Sequence, residues 1–269
     1  MLSACVESIQ QFTFYRDYEI IIIDNQSDEP EALEYLEQVK SEGVRVIAYN
    51  KPFNFSAMNN LGSRKAKGEV LVFLNNDITV HSPYWLHDMV TLATKEDVGA
   101  VGAVLLYPED CIQHAGIILG IGGTAGHAFR YFPSGSTGQR NRINLIHQVA
   151  AVTGACIAID RKRFLKAGGF DEKHLKINHN DVDLCLKLRK QGYVNLMAPR
   201  AILYHYESAS RGLDSESESY NYEMNFSVEK WKQYFERDEF YNPNLSQKFE
   251  DYSYNFPPAL EKYKPGNRK

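Results

Sequence analysis

Val70-Leu-Val-Phe-Leu-Asn-Asn-Asp-Ile-Thr-Val80 is the stretch on which the fold turns. Its first five residues, Val70 to Leu74, are all apolar and suit a strand buried on both faces of a parallel sheet. The run stops at Asn75, Asn76 and Asp77, residues that belong in water. In open α/β sheets ligands bind beyond the carboxyl ends of the strands. Side chains alternate across a strand, so Asn75 and Asp77 can share one side while Asn76 takes the other. An oxygen pair of that kind suits a divalent cation that also holds a diphosphate. Taken alone, the tripeptide reads more simply as a polar turn closing a strand. Its neighbours shift the balance.

Upstream, Glu19-Ile-Ile-Ile-Ile-Asp24 is a second apolar run ending in a carboxylate, followed by the turn and cap formers Asn25-Gln-Ser-Asp28. Residues 2–12 read as an amphipathic helix. Residues 29–40 are charged, with apolar spacing at Leu33, Leu36 and Val39, which predicts another helix. A strand is expected over 44–49. Ser56 can cap a helix running to Lys67 that Gly68 ends. Strand, helix, strand, helix, strand with short connections is the signature of a doubly wound parallel sheet. Two of its strands end in an acid at the same edge.

Downstream, 83–94 predicts a helix with Pro83 in its first turn, and 98–107 a strand. From Glu109 to Asn144 the glycines multiply, predicting a loop-and-hairpin insert that serves as a flexible lid or acceptor-side loop. Gly122-Gly-Thr-Ala-Gly126 is a weak phosphate-loop candidate, with no lysine after it. Residues 149–159 are apolar again, and 161–167 form a short helix stopped by Gly168-Gly169. Asn180-Asp-Val-Asp-Leu-Cys-Leu-Lys-Leu-Arg-Lys-Gln-Gly192 reads as a helix with Asn180 as N-cap and Gly192 as its end. Asp181 then lies in the first turn, where the helix dipole favours its anion. That position suits a proton acceptor facing a cleft, although acids in a first turn are commonplace caps. Short strands over 193–197 and 201–206 deliver His205, which gains interest only as a further ligand beside Asp77. A polar run and a helix to about 237 follow, then a frayed, aromatic-rich tail from 251 to 269.

At 269 residues, 43% hydrophobic and 24% charged, the chain can bury a real core. A formal charge of −4 gives no electrostatic reason to expect nucleic acid. Cys5, Cys111, Cys156 and Cys185 form no Cys-x-x-Cys pair, which favours free thiols in a reducing compartment. No basic-then-apolar leader opens the chain, and no apolar run approaches the ~20 residues that span a bilayer. The expected location is cytoplasmic, at most at the inner face of the membrane.

Assembled, these segments resemble a family 2 glycosyltransferase of the GT-A fold, in the bacterial branch of rhamnosyltransferases and other cell-surface polysaccharide enzymes. The likeness is carried by residues 19–28, Phe53-Asn-Phe-Ser-Ala-Met-Asn-Asn60, Leu74-Asn-Asn-Asp-Ile78 and Gln113-His-Ala-Gly116. Further on come Thr153-Gly-Ala-Cys156, Gly168-Gly-Phe-Asp171, Asn180-Asp-Val-Asp-Leu184 and Tyr204-His-Tyr-Glu-Ser208. Their shared order is far more specific than any one motif. The resemblance implies a Rossmann-like, mostly parallel central sheet flanked by helices. Residues 1–212 would form the GT-A core, and 213–269 a helical C-terminal extension and tail.

The same resemblance implies roles for single residues. Asp24 would contact the base of a pyrimidine nucleotide sugar, with Asn59 or Asn60 nearby and Asn76 among the donor contacts. Asn75 and Asp77 stand at the family's metal motif, with His205 as the late residue on metal or diphosphate. Asp181 takes the place of the catalytic base, and Thr153, Gly154 and Ala155 would line the sugar pocket. The implied reaction is an inverting transfer, with Mg²⁺ or Mn²⁺, from a UDP- or dTDP-sugar to a glycan or lipid-linked acceptor. Peripheral contact with membrane machinery, and membership of a larger multidomain protein, are compatible with it.

Asn75 replaces an acid and Asn180 a glutamate, variants met in this branch. The family's first strand has no counterpart before the helix at Leu2, and its absence would leave two ladders unpaired. The chain is therefore expected to be a piece of a longer protein, or to fill the gap with another segment. Two rivals stay open: a non-catalytic module binding nucleotide sugars or glycans, and a sugar-phosphate nucleotidyltransferase. The latter needs a Gly-rich loop after its first strand, and none is present near the start.

Overall fold

The computed structural model describes residues 1–206 and 217–256. The elements are, in order, α1 (Leu2–Phe12), β1 (Ile21–Asp24), α2 (Pro30–Ser41), β2 (Arg45–Ala48), α3 (Phe55–Lys65), β3 (Val70–Leu74), β4 (Ile78–Val80), α4 (Trp85–Ala93) and β5 (Val98–Leu106). An insert of three short strands follows: β6 (Ile112–His114), β7 (Ile117–Leu119) and β8 (Ala125–His127). Then come β9 (His147–Val149), β10 (Cys156–Asp160), α5 (Arg161–Lys166), α6 (Asn180–Lys190), β11 (Val194–His205), α7 (Glu218–Lys230) and α8 (Lys232–Glu236).

The α/β architecture is the one expected, with its strands divided between separate sheets. The larger runs β3-β10-β5-β11-β4, with β6 beside β5 and β9 beside β11. Strands β5 and β11 are parallel, and β10 lies antiparallel between β3 and β5. Hence β3, β5 and β11 share one direction, while β1 and β2 form a parallel pair of their own. Among the described residues no ladder joins β1 to β3. Helix α1 spans the break. Its Val6 packs with Val39 and Val44 beside the small sheet, while Cys5 and Ile9 join the cluster under the large one.

That break corrects the reading of Val70–Leu74. Only Leu71 and Phe73 are buried, in a buried–half-buried alternation, because β3 has a single neighbour. The strand enclosed on both faces is β5, buried at all nine positions. Gly102 makes this possible, since a Cβ there would lie 2.6 Å from the Val152 side chain. Strand β11 is one element where two were expected. Pro199 lacks an N–H, and the ladder shifts register between Ala198 and Ile202 without ending.

The glycine-rich insert is no lid. Ile112, Ile117, Ile118, Leu119 and Phe129 are buried in the largest core cluster. The C-terminal segment crosses over them. Leu119 N–H donates to the Asp238 carboxylate at 3.0 Å, and Phe129 N–H to the Glu250 carbonyl at 2.6 Å. Gly122 N–H donates to the Gln247 carbonyl at 3.2 Å, so the phosphate-loop candidate is a tight turn tied to the tail. Tyr252 is buried and stacks on Phe129 with ring centroids 4.9 Å apart, and Asn255 N–H donates to the Asn244 carbonyl at 2.9 Å, so residues 252–255 are tied down, where fraying was expected. Residues 257–269, and residues 207–208 of the late motif, lie outside the described residues.

Helix α7 bonds to the approach to α6. Buried Glu223 accepts from the backbone N–H groups of Lys176, Ile177 and Asn178. Buried Asp183 accepts from the Trp231 indole at 2.8 Å and pairs with Lys187 and Lys230 at 3.0 and 2.7 Å. Two capping expectations change as well. Asn54, not Ser56, caps α3, accepting from Ala57 N–H at 2.9 Å, while buried Ser56 donates to the Leu175 carbonyl. His179, with φ of 55°, occupies the N-cap position of α6, and Asn180 turns its amide back to the Ile177 carbonyl at 2.7 Å. No helix among the described residues is long and apolar enough to cross a membrane.

Candidate active site

The polar end of β3 meets the end of β11. Asn75 N–H donates to the Ala155 carbonyl at 2.9 Å, and Tyr206 N–H donates to the Asp77 carbonyl at 2.9 Å. These ties, with His205 opposite Ile78 in the β4–β11 ladder, bring three side chains together. His205 Nε2 lies 3.1 Å from Asp77 Oδ1 and 3.3 Å from Asn75 Nδ2. The alternation anticipated for the tripeptide holds, since Asn75 and Asp77 both reach His205 while Asn76 between them is exposed.

Asp181 joins through the loop before β10. Its Oδ2 accepts from Gly154 N–H at 2.8 Å and its Oδ1 from Val182 N–H at 2.8 Å. Thus Gly154 carries the α6 carboxylate, and Ala155, one residue on, carries Asn75. Thr153 is buried, and its hydroxyl accepts from Ala155 N–H at 3.3 Å, which stiffens this bridge. A Cβ on Gly154 would sit 3.5 Å from Asp181 Cβ and 3.6 Å from the Phe55 ring, so the start of α3 closes over the same spot.

The nucleotide-side residues separate. Asp24 ends β1 in the small sheet, where its Oδ1 accepts from Ser27 N–H and Oγ–H at 3.2 and 2.6 Å. Asn59 is half-buried and donates to the Phe55 carbonyl at 2.9 Å. Asn60 is a correction. It is buried, donates to the Phe170 carbonyl at 2.9 Å and accepts from Phe170 N–H at 3.0 Å. Both ends of its amide are committed to holding the Gly168–Glu172 turn.

Further residues with no assigned role surround these side chains. Gln113 Oε1 lies 2.6 Å from His205 Nδ1, and Gln113 Nε2 donates to the His205 carbonyl at 3.4 Å. His114 is fully buried against His127, with ring centroids 4.8 Å apart, and accepts from Thr153 N–H at 3.4 Å. Burial, and the nearby His127 and His205, hold its pKa well below the ordinary histidine range. The only sequence signal for them was the Gln113-His-Ala-Gly116 motif, which names no function by itself. Behind Asn75 the Cys5 thiol donates to its carbonyl at 3.6 Å, and burial pushes that thiol up to about 11.

Among the described residues no group of three or more His, Cys, Asp or Glu side chains gathers for a metal. The set present is one carboxylate, one imidazole and one amide. It suits a cation that keeps part of its shell for water and phosphate oxygens, as Mg²⁺ does. Asp77 Oδ1 and the imidazole nitrogen at 3.1 Å are both acceptors when the ring nitrogen is bare, so a positive charge shared between them is stabilising.

Residues 1–164 match the family model described as Glycosyl transferase family 2. A protein of Sinorhizobium fredii, "Uncharacterized protein y4gI", is 41% identical over 96% of this chain and 29% of its own length. The O-antigen biosynthesis protein RfbC of Myxococcus xanthus is 36% identical over 91% of this chain and 19% of its own. The chain thus spans less than a third of these curated relatives. Among solved structures, GalNAc-T7 with UDP, GalNAc and Mn²⁺ superposes with a TM-score of 0.67 at 20% identity, covering 86% of this chain and 46% of that one. The mannosyltransferase PcManGT of Pyrobaculum calidifontis, with GDP-Man and Mn²⁺, gives 0.56 at 18% identity, over 78% and 54%. At such identities these likenesses establish the fold alone.

Proposed function

The chain belongs to glycosyl transferase family 2, and from that premise we propose that it moves a sugar from a nucleoside diphosphate donor to an acceptor hydroxyl with inversion. The observation that supports the proposal is the run of contacts in which Asp77 meets His205, Asn75 meets His205 and bonds to Ala155, and the adjacent Gly154 bonds to Asp181. Asp77 and His205, with the Asn75 amide, would hold Mg²⁺ or Mn²⁺. Bound there, the cation would supply neutralisation of the charge that builds on a departing diphosphate.

The protein's own part is positioning and proton transfer. Asp181, held by Gly154 N–H and Val182 N–H in the first turn of α6, is the group that takes the proton from the acceptor hydroxyl. That hydroxyl then attacks the anomeric carbon opposite the leaving group. Asp24, at the carboxyl end of β1, and Asn59 on α3 are the remaining candidates for the base of a UDP or dTDP donor. Asn76, exposed beside the metal pair, is available to the diphosphate. A glycan or lipid-linked saccharide is the acceptor class, and the likeness to the O-antigen biosynthesis protein RfbC supports that choice. Peripheral association with membrane machinery belongs to the same reading.

A thermal-shift series with UDP, dTDP and GDP, each with and without Mn²⁺, tests it. Ligand bound to the native state alone raises stability by about 2.7 kcal/mol at a hundredfold excess over Kd. The expected outcome is stabilisation by a pyrimidine diphosphate that requires the metal. Stabilisation indifferent to metal would count against Asp77 and His205 as ligands. The break between β1 and β3 favours one rival, a module that binds a nucleotide sugar without turning it over. Donor consumption with a panel of saccharide acceptors separates the two.

A further inference from the structure

His205 is buried at the end of β11, and its two ring nitrogens face different surroundings. Its Nε2 meets Asp77 Oδ1 and Asn75 Nδ2 at 3.1 and 3.3 Å. Its Nδ1 meets Gln113 Oε1 at 2.6 Å. Gln113 is itself buried, on short strand β6 at the edge of β5, and its amide clamps His205 at two points. The amide nitrogen faces the His205 backbone carbonyl at 3.4 Å. A carbonyl can only accept, so the NH₂ end of the amide belongs on that side and the amide oxygen must face the ring. An amide oxygen also only accepts, so the proton of a neutral ring resides on Nδ1.

We propose that Gln113 is a positioning residue that locks His205 in the Nδ1–H tautomer, leaving Nε2 bare toward Asp77. A bare Nε2 is the form that can ligate a cation, and hydrogen bonds to the far nitrogen are what orient ligating histidines elsewhere. A bare Nε2 also gives the Asn75 amide nitrogen, 3.3 Å away, a lone pair to donate to. The tautomer stands on this hydrogen-bond geometry alone. Its use in holding a cation rests on the metal reading of Asp77 and His205 proposed above.

The test is nitrogen-15 NMR of the labelled, metal-free chain with its neutral ring, the His205 signals being assigned by their loss in His205→Asn. Wild type should show the Nδ1–H pattern. Gln113→Glu, which keeps an acceptor at the ring, should retain it, and Gln113→Leu should lose the preference. Mn²⁺ affinity, read by electron paramagnetic resonance without any turnover, should fall about 10- to 100-fold in Gln113→Leu and stay within a few-fold in Gln113→Glu. An Nε2–H pattern in wild type overturns the inference. Unchanged tautomer and affinity in Gln113→Leu overturn it too. An Nδ1–H wild type that binds no Mn²⁺ sinks the metal reading while the role of Gln113 toward the ring stands.

Discussion

Asp181 accepts a hydrogen bond from the backbone N–H of Gly154 across 2.8 Å, joining the first turn of α6 to the loop that also holds Asn75. Its other oxygen accepts from Val182 N–H, so Asp181→Asn keeps one acceptor and loses the other. A stability loss of about 1 kcal/mol is expected from that bond. Turnover should fall far more, by about 10²- to 10⁴-fold, as removal of a general base does. Donor affinity should be preserved. Steady-state donor consumption beside nucleotide titration checks both, and wild-type turnover would refute the assignment.

Asp77→Ala removes the one carboxylate of the Asp77–His205–Asn75 cluster. The metal-dependent part of nucleotide stabilisation should vanish, leaving whatever shift the nucleotide produces without metal. Calorimetric titration of Mn²⁺ into the variant and wild type decides the matter. Equal affinities would remove Asp77 from the cation site.

Asn60→Ala should injure the fold and spare the donor site. The substitution strands the Phe170 N–H and carbonyl, both bonded to the Asn60 amide, at about 1–3 kcal/mol for a buried group left unsatisfied. A lowered urea midpoint with unchanged UDP affinity in the folded protein is the expected pair of results. Weakened nucleotide binding at unchanged stability would restore Asn60 to the donor pocket.

His147 supplies a pH dependence away from the site. Burial lowers its pKa to about 4, so the folded ring stays neutral where the unfolded ring binds a proton near 6.5. Between those values the unfolded state holds more protons, and stability falls as pH is lowered through about 6.5 toward 4. His114 acts in the same direction, since its pKa is also depressed in the fold. Urea midpoints from neutral pH downward should drop less steeply for His147→Gln than for wild type. Identical slopes would show that His147 contributes nothing.

The motif residues Asn75, Asp77, Asp181 and His205 were legible because each sits at an element boundary marked by a local change of composition. Gln113 was not, since nothing near it in sequence shows that it faces a ring 92 positions later. Asn60 misled for a similar reason. An asparagine on a helix looks the same from sequence whether its amide meets a ligand or the backbone of a turn 110 residues away. The glycines of 109–144 suggested a loop-and-hairpin insert acting as a lid or acceptor-side loop; the hairpin is there as β7 and β8, yet its apolar residues are covered by a tail more than a hundred residues downstream.

By itself the sequence determined the extents of α1, β3 and α6 to within a residue or two, the polar stop at Asn75–Asp77, and the first-turn place of Asp181. Apolar periodicity and breaking residues act within a few positions along the chain, so local sequence carries that information. Only the tertiary structure decided that β5, and not β3, is enclosed on both faces, that β10 runs antiparallel between them, and that β1 and β3 share no ladder. Pairing and burial are set by whichever distant segment lies alongside, and that is a property of the assembled sheet.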